Sequence, residues 1–225
     1  MRLSVEHCFY VPSKMASPEA LQELLVQATL FPDTEIPRHS IEEIIEITKE
    51  KKHGNVDRIK LALQINGIYL EIPYWIGQSN LRNPADFQVL FIRYVWDGLH
   101  KNYPGEDKRL QDVLFWVFKY TDALYMESWG QNDEFSQDVP DEYEMESLYP
   151  FPSSYYLLSK ELVDIIGEDR LAGLGPVGHL NGSGLWLKFR DNYYFLIDKH
   201  LNEKKAALFK EMWEGWKIKH RALLP

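Results

Sequence analysis

The feature that most constrains the fold of this chain is a hairpin signature. Residues 59–65 (IKLALQI) and 68–72 (IYLEI) alternate in strand-like fashion, and Asn66-Gly67 separates them. Two residues that tolerate positive φ between such runs favour a type I′ turn, whose twist matches that of the flanking strands. Pro73 is expected to end the second run, because proline cannot donate a ladder hydrogen bond. The sequence therefore predicts a tight antiparallel hairpin.

Other segments show the periodicity or the end signals of strands and helices. Ser17-Pro18-Glu19 predicts a helix start, because it offers an N-cap, a proline suited to the first helical position and an acid near the positive dipole end. The sequence also predicts strands at 3–11 and 123–129, a hairpin of 184–190 and 193–198, and a loop at 131–147. The other predicted helices run from Ser40 to Lys51, from Asn83-Pro84 to Gly98, after Pro104-Gly105 over Leu110 to Phe118, from Ser159 to Ile166, and from Leu201 to Trp216.

Helices and hairpins alternate along the chain, which favours an α+β fold with a mainly antiparallel sheet flanked by about five or six helices. A length of 225 residues without an evident linker suits a single globular domain over 1–225. The single cysteine, Cys8, rules out an internal disulfide and a cysteine-based zinc site. The N-terminus lacks the apolar core of a signal peptide, and no segment suits a membrane span. We therefore expect a cytoplasmic protein.

Charge is concentrated in one acidic aromatic segment, residues 120–159. This segment contains no Lys, Arg or His, whereas the rest of the chain holds equal numbers of acids and of Lys and Arg. The nine acids of the segment are Asp122, Glu127, Asp133, Glu134, Asp138, Asp141, Glu142, Glu144 and Glu146. The nine aromatics of the segment are Tyr120, Tyr125, Trp129, Phe135, Tyr143, Tyr149, Phe151, Tyr155 and Tyr156. The segment thus accounts for the whole net charge of −9.

A charge run of this kind is often a solvated surface. Solvating acidic tails are poor in aromatics, however, whereas aromatics supply contact area at interface hot spots. We therefore interpret the segment as a docking surface for a protein with a basic surface, with no direct nucleic-acid or membrane binding because phosphate would be repelled. The predicted partner-binding residues are Trp129, Asp133, Glu134, Asp138, Asp141, Glu142, Tyr143, Glu144 and Glu146.

Motifs for catalysis or cofactor binding carry little weight in this chain. Residues 173–178 match GxGxxG by letters, but a dinucleotide site needs a buried strand before the motif and a helix after it. The seven histidines form no HxH or HExxH pair, so we expect no metal and no cofactor. Cys8 lies in an apolar strand and is expected to be a buried, inert thiol. A hydrolase with paired carboxylates and a scaffold that self-associates through aromatics stay open as alternatives.

The mixed α+β make-up, the acidic balance and the stretch ALYMESWG (123–130) resemble bacterial immunity proteins of polymorphic-toxin systems, in particular the immunity protein 52 type. Members of that type accompany type VI secretion effectors, including nuclease toxins. The resemblance implies a cytoplasmic antitoxin that binds a cognate toxin domain and blocks its active site or its assembly. It assigns no functional residue.

Overall fold

The structure, a computed structural model, describes residues 3–37, 42, 58–75, 87–96, 108–131, 155–188 and 199–220. Its centre is one antiparallel sheet of eight strands in the order β2-β3-β4-β1-β5-β6-β8-β7. The strands are β1 (Leu3–Pro12), β2 (Arg58–Ile65), β3 (Ile68–Trp75), β4 (Phe87–Trp96), β5 (Tyr125–Gln131), β6 (Tyr155–Ser159), β7 (Val177–His179) and β8 (Gly184–Lys188). The prediction of a single-domain α+β fold with a mainly antiparallel sheet is confirmed.

Five α-helices and one 3₁₀ turn (Ser13–Ala16) complete the described part of the chain. The helices are α1 (Pro18–Ala28), α2 (Lys108–Tyr120), α3 (Lys160–Ile166), α4 (Glu168–Ala172) and α5 (Lys199–Lys219). Two predicted N-caps are confirmed: Ser17 Oγ accepts from the Ala20 amide at 3.1 Å, and Ser159 Oγ accepts from the Leu162 amide at 3.4 Å. Each cap satisfies a backbone donor that the first helical turn leaves unpaired.

The sheet separates two hydrophobic cores, because successive strand residues point to opposite faces. Phe9 and Val11 of β1 belong to the core under α1 and α2, which we call the α2 face. Cys8 and Tyr10 belong to the core under α3, α4 and α5, which we call the α5 face. The side chains of strand β6 also alternate between the two cores, so the middle strands of the sheet are covered on both faces.

The predicted hairpin is confirmed, with Ile65 opposite Ile68 and positive φ at Asn66 (56°) and Gly67 (72°). The expectation that Pro73 ends it is wrong, since β3 continues to Trp75. Strand β3 pairs with β4 only at Leu70 and Glu71. Pro73 lies opposite Lys60 on β2, at a non-hydrogen-bonded pair when counted from the turn-closing pair Ile65–Ile68, so its missing N–H costs no bond to β2.

The helix predicted from Asn83-Pro84 to Gly98 is also wrong, because residues 87–96 form β4. This strand lies inside the sheet, between β3 and β1. A strand inside a sheet has a nearly continuous run of apolar residues in its sequence, and the hydrophobic periodicity alone cannot distinguish such a run from a buried helix. The β-branched and aromatic content of FQVLFIRYVW favours the strand that is observed.

The other predicted elements have mixed outcomes. The strand at 3–11 is confirmed as β1, the strand at 123–129 as β5, and the helices ending at Phe118, Ile166 and Trp216 as α2, α3 and α5. Residues 184–188 form β8. Three other predicted elements lie wholly or mostly outside the described residues: the partner strand 193–198, most of the helix from Ser40 to Lys51 and nearly all of the loop at 131–147. No helix in the described ranges is long and apolar enough to cross a membrane.

Gly184 opens β8 with a backbone that a side chain cannot follow. Its φ is +148°, and a Cβ there would overlap the carbonyl oxygen of Leu158 on β6. Gly182 also has a positive φ (+85°) but has open space around it. We expect Gly184→Ala to destabilise the fold by about 3 kcal/mol or more and Gly182→Ala by about 1 kcal/mol, measured by urea unfolding. Equal losses would contradict this account of the β6–β8 contact.

Candidate functional site

The predicted docking residues lie in or beside the connection between β5 and β6. Trp129 is part of β5, with its Cα opposite that of Glu6 on β1. The other eight predicted residues are Asp133, Glu134, Asp138, Asp141, Glu142, Tyr143, Glu144 and Glu146, and all lie outside the described residues. Their role as a docking surface stays a prediction.

Strands β5 and β6 are direct neighbours, with Glu127 opposite Tyr156 and Tyr125 opposite Leu158. The chain leaves β5 at Gln131 and returns at Tyr155, so residues 132–154 connect two strands that pair with each other. We call these residues the β5–β6 connection. They contain seven acids and no Lys, Arg or His.

The ends of the acidic aromatic segment belong to the core. Tyr125, Tyr155 and Tyr156 are 6%, 3% and 0% exposed, and Glu127 is 2% exposed. These four residues are therefore closed to a partner, and the interpretation of the whole segment 120–159 as one surface has to be narrowed. The reason is that 125–131 and 155–159 are inner strands, where Tyr125, Tyr155 and Tyr156 pack against the faces of the sheet. What remains for docking is the β5–β6 connection together with Trp129.

A buried polar cluster lies on the α5 face at this pair of strands. The hydroxyl of Tyr10 donates to Glu127 Oε1, and the hydroxyl of Tyr125 donates to Glu127 Oε2, both at 3.1 Å. One residue comes from β1 and two from β5, so the register of these strands brings the groups together. Both carboxylate oxygens therefore have a donor, as a buried acid requires.

Burial raises the pKa of Tyr125 well above its ordinary value, and the nearby Glu127, Tyr156 and Tyr10 add to that effect. The phenol therefore keeps its proton at neutral pH and acts as the donor to Glu127. A phenol held in this way cannot serve as a general base near neutrality. The cluster is suited to fixing the strands and not to proton transfer with solvent.

Lys205 of α5 extends the cluster, and the sequence analysis did not identify it. Its side chain is 1% exposed, and Nζ donates to the hydroxyl of Tyr156 at 2.9 Å. A signal for its burial exists in the sequence. Lys205 lies three and four residues before Leu208 and Phe209, which places it within the apolar stripe of the helix.

Cys8 is 4% exposed and opposite Glu127 in register, which confirms a buried thiol. The neighbouring His7 belongs to the opposite face, so the two cannot form a nucleophilic pair. His7 Nδ1 instead forms a 2.7 Å hydrogen bond with Ser128 Oγ, and no described residue pairs with His7 Nε2. Burial lowers the pKa of His7 from 6.5 to about 3.

The low pKa of His7 predicts acid sensitivity. The folded state keeps the imidazole neutral, while the unfolded chain takes up a proton below pH 6.5. The contribution of His7 to stability is therefore complete above pH 6.5 and falls by about 1.4 kcal/mol per pH unit as the pH drops toward 3. In urea unfolding between about pH 7 and about pH 4.5, we expect His7→Gln to show a shallower loss than the parent chain. Identical slopes would contradict this assignment.

The other sequence candidates have structural explanations. Gly178 lies in β7, and a Cβ there would overlap the indole of Trp186, so this glycine allows a close ring contact and does not form a phosphate cradle. His179, which follows the glycine-rich stretch, is exposed, and its Nε2 lies 3.4 Å from Glu168 Oε1. Within the described ranges, no group of His, Cys, Asp and Glu side chains could hold a metal ion.

Comparison with known proteins gives no family for this chain. No protein-family model matches it, and no curated protein matches it in sequence. Among solved structures, it is similar to the Pseudomonas aeruginosa T6SS protein PA0821, with a TM-score of 0.49 and 12% sequence identity. The match covers 93% of this chain and 76% of that protein. A likeness at this level does not bear on function.

Proposed function

We propose that this chain is a cytoplasmic immunity protein that binds and neutralises a secreted toxin with a basic surface, such as a nuclease effector of a type VI secretion system. The proposal uses the β5–β6 connection and Trp129 as the docking surface. On this proposal the chain acts by binding a protein and not by catalysis.

The observation that carries the proposal is the length and charge of the β5–β6 connection. Neighbouring antiparallel strands need a loop of only about two to five residues. The chain uses the whole of 132–154, several times that length, and this stretch contains seven acids and no Lys or Arg. Long connections in compact domains are characteristic of functional segments, so the excess is best explained by binding.

The charge of the connection determines the class of partner. Clustered carboxylates attract a basic surface and accelerate its association by about 10- to 1,000-fold at low salt. The same carboxylates repel nucleic acid and anionic membranes. Phe135 and Tyr143 lie among them, Tyr149 and Phe151 follow them, and such aromatics supply the rigid contact area that interface hot spots favour. A basic protein therefore fits better than any other partner.

The direct experiment is co-expression with the product of the neighbouring gene, followed by size-exclusion chromatography and a growth assay for toxicity. We expect a stable complex and loss of toxicity. The decisive variant replaces residues 132–154 with a flexible Gly–Ser linker of about eight residues, which leaves β5 and β6 free to pair. We expect this variant to unfold at the same temperature as the parent chain but to lose both the complex and the protection.

A complex that forms equally well with the linker variant would exclude the β5–β6 connection as the docking surface. Turnover of a small substrate by the chain alone would favour the hydrolase alternative. Concentration-dependent self-association without a partner would favour the scaffold alternative.

A further inference from the structure

The chain contains two Asn-Gly dipeptides, at residues 66–67 and 181–182. One lies in the turn between β2 and β3 and the other in the turn between β7 and β8. Their backbones are alike: φ is 56° at Asn66 and 47° at Asn181, and it is 72° and 85° at the glycines that follow. In an Asn-Gly dipeptide the backbone nitrogen can attack the preceding side-chain amide, because glycine has no Cβ to obstruct the approach. The two sites are therefore matched locally and differ in their surroundings.

The turn between β2 and β3 is held by hydrogen bonds from distant parts of the chain. Asn66 Nδ2 donates to the carbonyl oxygen of Arg109 at 3.3 Å, and the Asn66 amide donates to Thr34 Oγ1 at 3.2 Å. The amide of Gly67 donates to the carbonyl oxygen of Asp33 at 3.0 Å. Both groups that would have to react, the side-chain amide and the glycine nitrogen, are thus engaged with other residues.

The turn between β7 and β8 is closed by hydrogen bonds within itself. The Ser183 amide donates to the Leu180 carbonyl at 3.0 Å, and the Leu180 amide donates to the Gly184 carbonyl at 2.9 Å. Asn181 and Gly182 are exposed. Within the described part of the chain, no hydrogen bond involves the side chain of Asn181 or the amide of Gly182. These two groups can therefore approach each other without breaking a contact to another described element.

We infer that Asn181 is a site of spontaneous deamidation and that the fold protects Asn66 from the same reaction. The Gly182 nitrogen attacks Cγ of Asn181, and the new N–C bond closes a succinimide ring. The Cγ–Nδ2 bond breaks, and the side-chain nitrogen leaves as ammonia with the proton that the Gly182 nitrogen has lost. Water then adds to either ring carbonyl, which gives aspartate or isoaspartate at position 181. Either product carries a new negative charge.

The isoaspartate product changes the end of the sheet. It routes the main chain through the side-chain methylene group, which lengthens the turn between β7 and β8. Strand β7 has three residues and lies at the end of the described sheet, next to β8. We therefore expect amide hydrogen exchange to become faster in β7 and to stay slow in β6, which pairs with the other side of β8. This site is not part of the β5–β6 connection and does not depend on the function proposed for it.

The test incubates the folded chain at mildly alkaline pH, which favours deprotonation of the attacking nitrogen, and follows both Asn-Gly peptides by digestion and mass spectrometry. We expect Asn181 to be lost about tenfold faster than Asn66 or more, because at least one net hydrogen bond has to break before Asn66 can react. The urea-unfolded chain is the internal control. There the two sites should react at similar rates, because the protecting contacts are gone.

Two variants check the assignment of the groups, and thermal unfolding reports whether each remains folded. Gly182→Ala adds a Cβ beside the attacking nitrogen and should slow the loss of Asn181 severalfold. Thr34→Val removes the oxygen that accepts from the Asn66 amide and should speed the loss of Asn66 while leaving that of Asn181 unchanged. Equal rates at the two sites of the folded chain, or no loss of Asn181, would overturn the inference. So would loss of Asn181 at the parent rate in Gly182→Ala, or a difference between the sites that persists in urea.

Discussion

Replacing the seven carboxylates of the β5–β6 connection with their amides is expected to slow association with the proposed basic partner by about 10- to 1,000-fold at low ionic strength. The change converts Asp133, Glu134, Asp138, Asp141, Glu142, Glu144 and Glu146 to Asn or Gln. Amides keep the shape of the side chains and remove only the charge, so the loss should fall on the association rate. Stopped-flow mixing with the purified partner measures that rate.

A matched control separates local charge from total charge. It neutralises seven exposed acids elsewhere in the described structure, which gives the same net charge. These are Glu19, Glu23, Asp112, Asp122, Glu168, Asp169 and Glu214. We expect the control to associate at a rate close to that of the parent chain. Equal slowing in both variants would show that overall charge, and not the β5–β6 connection, attracts the partner.

The second large effect concerns the buried cluster at Glu127. We expect Glu127→Ala to reduce the free energy of unfolding by about 3–5 kcal/mol, because it removes the carboxylate to which the hydroxyls of Tyr10 and Tyr125 donate and opens a void. Urea unfolding at neutral pH measures the loss. Glu168→Ala, on the exposed surface, should change stability by less than about 0.5 kcal/mol.

The tyrosine variants show whether the cluster acts as a unit. Tyr10→Phe and Tyr125→Phe should each cost about 1–2 kcal/mol. Added to a chain that already carries Glu127→Ala, the same changes should cost less, because they then remove donors that have lost their acceptor. Additive losses throughout, or a loss below about 1 kcal/mol for Glu127→Ala, would contradict the geometry described for these hydrogen bonds.

The local elements of the fold could be predicted because their signals lie within a few residues. Asn66-Gly67 specifies its own turn through positive φ, and Ser17 and Ser159 each cap a helix that begins at the next residue. The residues of strand β4 were wrongly predicted to be helical, because the position of this strand depends on neighbours from distant parts of the chain. Strand β7, a short element within a glycine-rich stretch, gave no periodic signal to read.

The buried cluster could not be predicted for a similar reason. Tyr10 and Glu127 are far apart in sequence and meet only through the register of β1 against β5. The charge of the β5–β6 connection, in contrast, is visible in the sequence, although its boundaries are not. The acidic aromatic segment defined from the sequence includes Tyr125 and Tyr156, and only the pairing of β5 with β6 shows that they are core residues.

The most direct test of the docking proposal is the salt dependence of the affinity between this chain and its proposed basic partner, the product of the neighbouring gene. Isothermal titration calorimetry between about 0.05 and 0.5 M salt measures this dependence, because the Debye length, the distance over which salt screens charges, falls from above to below about 8 Å across that range. We predict that the affinity of the parent chain falls steeply across this range, and that the seven-amide variant binds weakly with a nearly flat dependence. Binding that is equally tight in both proteins and insensitive to salt would contradict the proposal.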